Sequence, residues 1–499
     1  MRGDLARAEA LCDAPALSKE IARIAAALPV GVRARQCPLR TFVVGMAVTL
    51  ADGRPAHLSR VHQALVSLDV QDRQRLGVDV CWHGVPHTLT YRQVEYLNTL
   101  VETALKKDEP DGLASCALQR FVDALIEASV PETARKASSS LAVDWTDVES
   151  FAHPPGRDGV SPDPEAAWGH RRGCGPGEKA ELFFGHYCSL ATMVQDEDGC
   201  EVPELVLHMT LSACAHDPVP VFVASLVQAA ADGRLRLGDV ICDSGYAHRV
   251  PAHFALPLRA AGASLVMDLH PNDRGTQGTH GGAICHNGNL YCPMTPTSLF
   301  GQAPLARGAS EAETRAHDEA AAELARYKLG RICTDDSDGY HRVSCPAMLG
   351  KVRCALRESS MMFDLSRPEI LAPPEHPPTC CTQVTITVPP AVNQKTRQKH
   401  DYPSKAWRRS YARRTGVERS NARVKDRATI DIGKGWCRLM GLVAPTLFLA
   451  AAFAIRNLAI ADAFEAKRAD DERRQRVGLA PRTRRRRRTT LGDLVGASP

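Results

Sequence analysis

The chain has 499 residues, 44% of them hydrophobic, and a formal net charge of +5. That length suits about two to four domains, and the apolar content supplies real cores, which excludes a chain too polar to fold. The 17 cysteines lack the paired spacing of a disulfide framework and no signal-peptide pattern is visible, so a reduced, cytosolic compartment is expected.

Residues 1–130 read as helical. Apolar residues recur at helical spacing over 17–28 and 41–50. Thr90-Tyr-Arg-Gln93 has the form of a capping box opening a helix through Leu105. Residues 56–65 (AHLSRVHQAL) are a candidate DNA-reading helix, although a packing helix fits equally well. Residues 131–140 read as a linker.

Residues 140–146 (SLAVDWT) form an apolar run read as a strand ending in Asp144. Residues 154–179, rich in Gly and Pro, read as a mobile loop. Residues 181–195 and 205–212 are the next strands of an antiparallel meander. Residues 220–231 have helical spacing and stop at Asp232-Gly233. Residues 239–246 (DVICDSGY) read as a strand ending in Asp243, closed by Ser-Gly. A helix over 252–261 and a strand over 264–269 follow. A carboxylate at the end of a buried strand emerges where a site can form.

Beyond this point lie 175 positions between Asp243 and Glu418, too many for a loop, so a folded insertion is expected. Residues 384–388 (VTITV) are β-prone and suggest that it is β-rich. It holds Cys285, His286, Cys292, Cys333, His341, Cys345, Cys354, Cys380 and Cys381. Such residues can build a tetrahedral zinc site, but there is no C-x-x-C pair and the adjacent Cys380-Cys381 chelates awkwardly. Structural zinc is therefore not expected, and buried free thiols are.

Residues 395–427 are strongly basic, as a polyanion partner requires. Within them, residues 411–425 (YARRTGVERSNARVK) space Tyr411, Arg414, Glu418 and Lys425 within an arc of roughly 60° on one α-helix. One face then carries a phenol, two cations and a carboxylate. That suits phosphodiester chemistry: the carboxylate can hold a divalent metal while the cations hold phosphate oxygens. Residues 441–460 are apolar but include Pro445, Arg456 and Asn457, and read as a buried core helix rather than a membrane span. Residues 484–488 are consecutive arginines in a basic, solvated tail.

The Tyr411–Arg414–Glu418–Lys425 spacing resembles the Y-R-E-K signature of a group of bacterial insertion-sequence DDE transposases. Asp144 and Asp243 resemble the family's first two acids in order and in their place at strand ends. The resemblance covers roughly residues 138–460. It implies an α/β fold: a ribonuclease-H-like catalytic core at 138–270 and 400–465, interrupted by a β-rich insertion at 271–399. A helical N-terminal domain at 1–130, which would bind DNA ends, and a disordered basic tail at 466–499 complete this organisation. It further implies that Asp144, Asp243 and Glu418 bind two Mg²⁺ ions, with Mn²⁺ able to substitute. Arg414 and Lys425 would grip phosphates and Tyr411 the DNA backbone. The expected partners are double-stranded transposon ends, target DNA and a second copy of the chain. The expected setting is the bacterial cytoplasm and nucleoid, with no membrane. A nuclease of the same fold and a non-catalytic, transposase-derived DNA-binding regulator are the alternatives.

Overall fold

The computed structural model describes residues 2–29, 36–106, 114, 116–156, 159–171, 181–306, 308–426 and 430–481. The arginine run at 484–488 lies outside them. Helices α1 (Arg2–Asp13), α2 (Pro15–Ala27), α3 (Leu39–Ala51), α4 (Leu58–Val66) and α5 (Val70–Arg75) open the chain. A hairpin of β1 (Asp79–Trp82) and β2 (Val85–Thr88) precedes α6 (Tyr91–Lys106), α7 (Cys116–Ala128) and α8 (Glu132–Ala137). The central segment runs β3 (Leu141–Glu149), β4 (Ala167–Arg171), β5 (Glu181–Met193), β6 (Val206–Ala213), α9 (Pro218–Ala231), β7 (Asp239–Cys242), α10 (Ser244–Ala247), α11 (Ala255–Ala260) and β8 (Ser264–Met267).

The next segment holds β9 (Thr276–His280), β10 (Ala283–His286), β11 (Asn289–Tyr291), α12 (Glu311–Arg326), β12 (Gly330–Arg331) and β13 (His341–Ser344). It continues with β14 (Arg353–Cys354), β15 (Glu369–Ile370), α13 (Thr379–Thr382) and β16 (Thr385–Val388). Helices α14 (Lys405–Tyr411), α15 (Thr415–Lys425) and α16 (Val443–Arg476) close the described chain.

The fold is mixed α/β. Its main sheet has the order β4-β5-β3-β7-β8, with β6 also on β5. β3, β5 and β6 pair antiparallel, whereas β3–β7 and β7–β8 are parallel. The chain thus runs strand, strand, strand, helix, strand, helix, strand, with β4 added where a loop was expected. Residues 172–180 of that expected loop lie outside the described residues. The expected linker is also not bare: it contains α8, whose Arg135 bonds back to the Glu127 and Val130 carbonyls.

One buried cluster runs from Leu5 to Ala454 through the N-terminal helices, the sheet and α16. α3 buries every residue from Thr41 to Leu50, packing on α1, α4 and α16. Residues 56–65 belong to this packing: α4 buries Leu58, Val61, Ala64 and Leu65. His57 and His62 are tied to the Gly435 and Leu89 carbonyls.

α16 is long and apolar enough to cross a membrane, yet 72% of its apolar window is buried within the chain. Pro445 sits in its first turn, where no N–H needs an intrahelical acceptor. Asn457 donates to the Val206 carbonyl at 2.7 Å and accepts from the Val206 N–H at 2.9 Å, closing the start of edge strand β6. The helix runs on to Arg476, so residues 466–476 are helical rather than part of a disordered tail.

Because α3 and α7 rest on α16, a fragment of residues 1–130 loses the surface that buries them. It is expected to aggregate or to show a collapsed amide spectrum by NMR. A monomeric fragment with dispersed resonances would show that the helices fold without α16.

The segment between β8 and α14 is an α+β module. Its strands form small sheets, β11-β10-β9, β12-β13-β16 and β14-β15. β16 matches the β-prone run. α12 was missed from sequence, although Ser310 and Glu313 form a reciprocal capping box at its start.

Candidate functional site: three acids around an arginine

β3 pairs with β7 only at Leu141–Val240 and Ala142–Ile241. It then continues to Glu149 against β5 alone. Asp144 therefore lies within β3, not at its end as expected, but just past the point where the parallel neighbour stops. Asp243 follows the last residue of β7. Its Oδ1 accepts the Gly245 and Tyr246 amides at 2.9 and 3.4 Å, so Ser-Gly opens the short helix α10 instead of a plain turn. Trp145 and Tyr246 pack with ring centroids 4.8 Å apart, joining the two acid-bearing segments. A Cβ at Gly245 would meet Trp145 at 2.6 Å, so this contact needs glycine.

The signature region is not one straight helix. α14 ends at Tyr411, a 3₁₀ turn covers Ala412–Arg414, and α15 begins at Thr415. Arg413 supplies the cause. Its Nε donates to the Ser410 carbonyl at 3.0 Å and its guanidinium reaches Asp239 Oδ2 at 2.7 Å and the Gln195 carbonyl at 3.1 Å. The turn is thereby pinned to the sheet. α15 then lies so close that a Cβ at Gly416 would meet Val194 at 2.5 Å. Arg413 is a positioning residue that the sequence reading missed, because one arginine among many in a basic stretch carries no distinguishing signal.

Asp144, Asp243 and Glu418 converge on Arg414. Its Nη2 lies 3.3 Å from both Asp144 Oδ2 and Asp243 Oδ2, and its Nη1 is 2.5 Å from Glu418 Oε1. The Asp144 and Arg414 side chains are only 17% and 15% exposed, whereas Glu418 is 53% exposed, so the cluster opens to solvent at the Glu418 end. Burial pushes the Asp144 carboxyl up to about 7, with the Asp243 and Glu418 charges adding to the rise and Arg414 opposing it. Asn421, one helical turn after Glu418, approaches Asp144 Oδ2 at 3.4 Å. Its spacing from Glu418 was the signal available in the sequence. The acids surround Arg414 and do not yet lie within 4.8 Å of one another. Their hard oxygen donors nevertheless suit Mg²⁺ or Mn²⁺, and three clustered carboxylates need cationic charge.

Lys425 is not part of this cluster, and Tyr411 lies at its edge, with its phenol within electrostatic reach of Arg414 and Asp243. Tyr411 stacks on Trp407 at 4.8 Å and 15°, and Trp407 is fixed by its Nε1–H to the Met267 carbonyl at 2.9 Å. Burial raises the Tyr411 phenol. Lys425 Nζ pairs with Asp147 Oδ1 at 2.8 Å, and Arg171 lies 3.7 Å from the same carboxylate. Helix periodicity across an unbroken helix implied one shared face; Tyr411, Arg414 and Glu418 stay near one another despite the 3₁₀ turn, and for Lys425 the nearer acid Asp147 overrides the expectation. Lys425 is 40% exposed, so Lys425→Ala is expected to cost no more than about 1 kcal/mol in urea unfolding. A loss of several kcal/mol would show that the pair anchors α15 to the sheet.

Among the described residues, one set of three potential ligands lies within 4.8 Å: His248, His270 and Asp273. Lys395 already sits 2.8 Å from Asp273 and 3.5 Å from His248, supplying the charge an ion would bring. Comparison with protein-family models and with curated proteins finds no match to this chain.

Proposed function

We propose that the chain is a DDE-type transposase that cuts DNA at the ends of a mobile element and joins them to a target. The observation that carries the reading is the convergence of Asp144, Asp243 and Glu418, from three separate segments, on Arg414. The sheet supports a ribonuclease-H-like core: an antiparallel β3–β5–β6 meander continues into parallel β7 and β8, and the first two acids emerge from β3 and β7. The inserted module and the helix that returns across the sheet with Glu418 fit the same group.

Asp144, Asp243 and Glu418 would hold two divalent ions. When bound, such ions activate water or a DNA 3′-hydroxyl and stabilise the leaving oxygen. The chain's own residues do the rest. Asn421 and the Trp145 amide orient the Asp144 carboxylate. The Asp243 carboxylate is aimed by the α10 amides. Arg414, whose two Nη groups are held by the three acids, would reach a phosphate oxygen by exchanging those contacts. Lys425 would act on DNA only after exchanging Asp147 for phosphate, and Tyr411 supports the site through Trp407. The function implies double-stranded DNA and a second copy of the chain as partners, with action on bacterial nucleoid DNA.

The test uses the full chain, Mg²⁺ or Mn²⁺, and a plasmid carrying the gene with its flanking DNA. The expected result is breaks at the element ends followed by joining to target. Cutting without joining would favour a nuclease of the same fold; binding without cutting would favour a regulator.

A further inference from the structure

We propose that Cys292, Cys345, Cys354 and Cys381 form a tetrathiolate zinc site that clamps together the two small cores of the inserted module. This reverses the expectation from spacing alone. The four cysteines come from four separated segments, with Cys354 ending β14 and Cys381 in α13, so no local motif announces them, yet the fold gathers them. All four are buried, at 3–8% exposure. Each thiol lies within electrostatic reach of the other three: Cys292 of Cys345, Cys354 and Cys381; Cys345 of Cys354 and Cys381; and Cys354 of Cys381.

Burial raises the Cys292, Cys345 and Cys354 thiols, as it does any apolar-packed cysteine, and backbone amides oppose that rise at each sulfur. The Met294 amide points at the Cys292 sulfur, the Ala347 and Met348 amides at Cys345, and the Leu356 amide at Cys354. Cys292 and Cys354 each head a tight turn, their carbonyls accepting from Thr295 at 3.0 Å and Arg357 at 2.9 Å. A neutral thiol is a weak acceptor, so several amides converging on sulfur serve a charged one. Arg357 lies beside both Cys354 and Cys381, where it offsets the net negative charge of a zinc tetrathiolate.

The module also needs a staple. One of its cores contains Cys380 and Cys381, the other Cys292, Cys345 and Cys354, and each has only nine buried residues. Its strands β14 and β15 are two residues long. Cores this small rarely hold a fold alone. Cys380, 4.0 Å from Cys381, also lies within reach of Cys292 and Cys345, but Cys381 is the fourth ligand because it reaches Cys354 as well and is the thiol of the pair brought down, to about 7, by its hydrogen bond with Cys380. No three of these sulfurs yet lie within 4.8 Å of one another. Zinc would close the shell through Cys rotamer changes, each of which moves a sulfur by about 3 Å.

The full-length chain, purified from zinc-supplemented cells without chelator, is expected to carry about one zinc by plasma mass spectrometry. Replacing the zinc in the wild-type chain with Co²⁺ should give sulfur-to-cobalt charge-transfer bands and the d–d bands of a tetrahedral site. Cys345→Ser and Cys381→Ser should lower zinc content at least about tenfold. Cys380→Ser and Cys333→Ser should leave it unchanged. A zinc-free wild-type chain, a cobalt spectrum without sulfur charge transfer, or full zinc in Cys345→Ser would overturn the proposal. The cobalt measurement needs no variant to fold, and none of these readouts depends on DNA cleavage.

Discussion

Asp144→Asn is expected to abolish DNA cleavage and, in chelator above pH 7, to make the folded chain more stable. Both effects have one origin. Asp144 is buried beside two other acids and keeps its proton up to about pH 7 when folded, against an ordinary aspartate value of 3.8. Between those values the folded chain binds a proton that the unfolded chain has lost. The Asp144 contribution to stability is therefore full below about pH 4, falls as the pH rises to about 7, and stays reduced above it. The penalty is on the order of 2–4 kcal/mol. Asparagine keeps the shape and the acceptor for the Trp145 amide without the charge. Denaturant unfolding in chelator should show the stability of Asp144→Asn relative to wild type growing as the pH rises from about 4 to about 7, with the histidines held low by burial contributing equally to both chains. Cleavage should fall by on the order of 10³-fold or more, since loss of a metal ligand forfeits several kcal/mol of charge stabilisation. Asp243→Asn and Glu418→Gln should match it in activity. Glu418→Gln should change stability least, because Glu418 is half in solvent. Wild-type cleavage by any of the three, or an unchanged pH dependence in Asp144→Asn, would refute this account.

Arg414→Ala is expected to destabilise the metal-free chain by about 3–5 kcal/mol, the cost of leaving a buried charge cluster without its partner. Added Mn²⁺ should restore a large part of that loss by neutralising the same carboxylates. Helix spacing alone predicts that Arg414 serves phosphate and not the fold. The structure changes that expectation, because the guanidinium touches all three acids. Arg414→Lys should recover part of the stability and less of the activity, since an ammonium cannot bridge carboxylates as a planar fork does. Arg414→Ala stability equal to wild type in chelator would show that the acids do not depend on this arginine.

The contrast between Arg414 and Lys425 marks how far the sequence could be read. Apolar runs ending near acids located β3 and β7, because buried parallel strands carry continuous hydrophobic residues whatever surrounds them. Residues 441–460 announced a core helix through their interrupting polar residues, and Asn457 has a structural role on β6. The acids were legible because their chemistry is conspicuous. What escaped was set by long-range partners. Arg413 breaks the signature helix by reaching Asp239, Lys425 is captured by Asp147, and α8 and β4 form where Pro and Gly suggested loops. The insertion cysteines were the least legible, since their proximity exists only once four separated segments have folded together.

The central claim is that Asp144, Asp243 and Glu418 are metal ligands. Crystals of the full chain soaked in Mn²⁺ and measured for anomalous scattering test it most directly. A Mn²⁺ peak is expected within ligand distance of the Asp144 and Asp243 carboxylates, and its loss in Asp144→Asn. Saturating Mn²⁺ with no anomalous peak within ligand distance of either aspartate would contradict it.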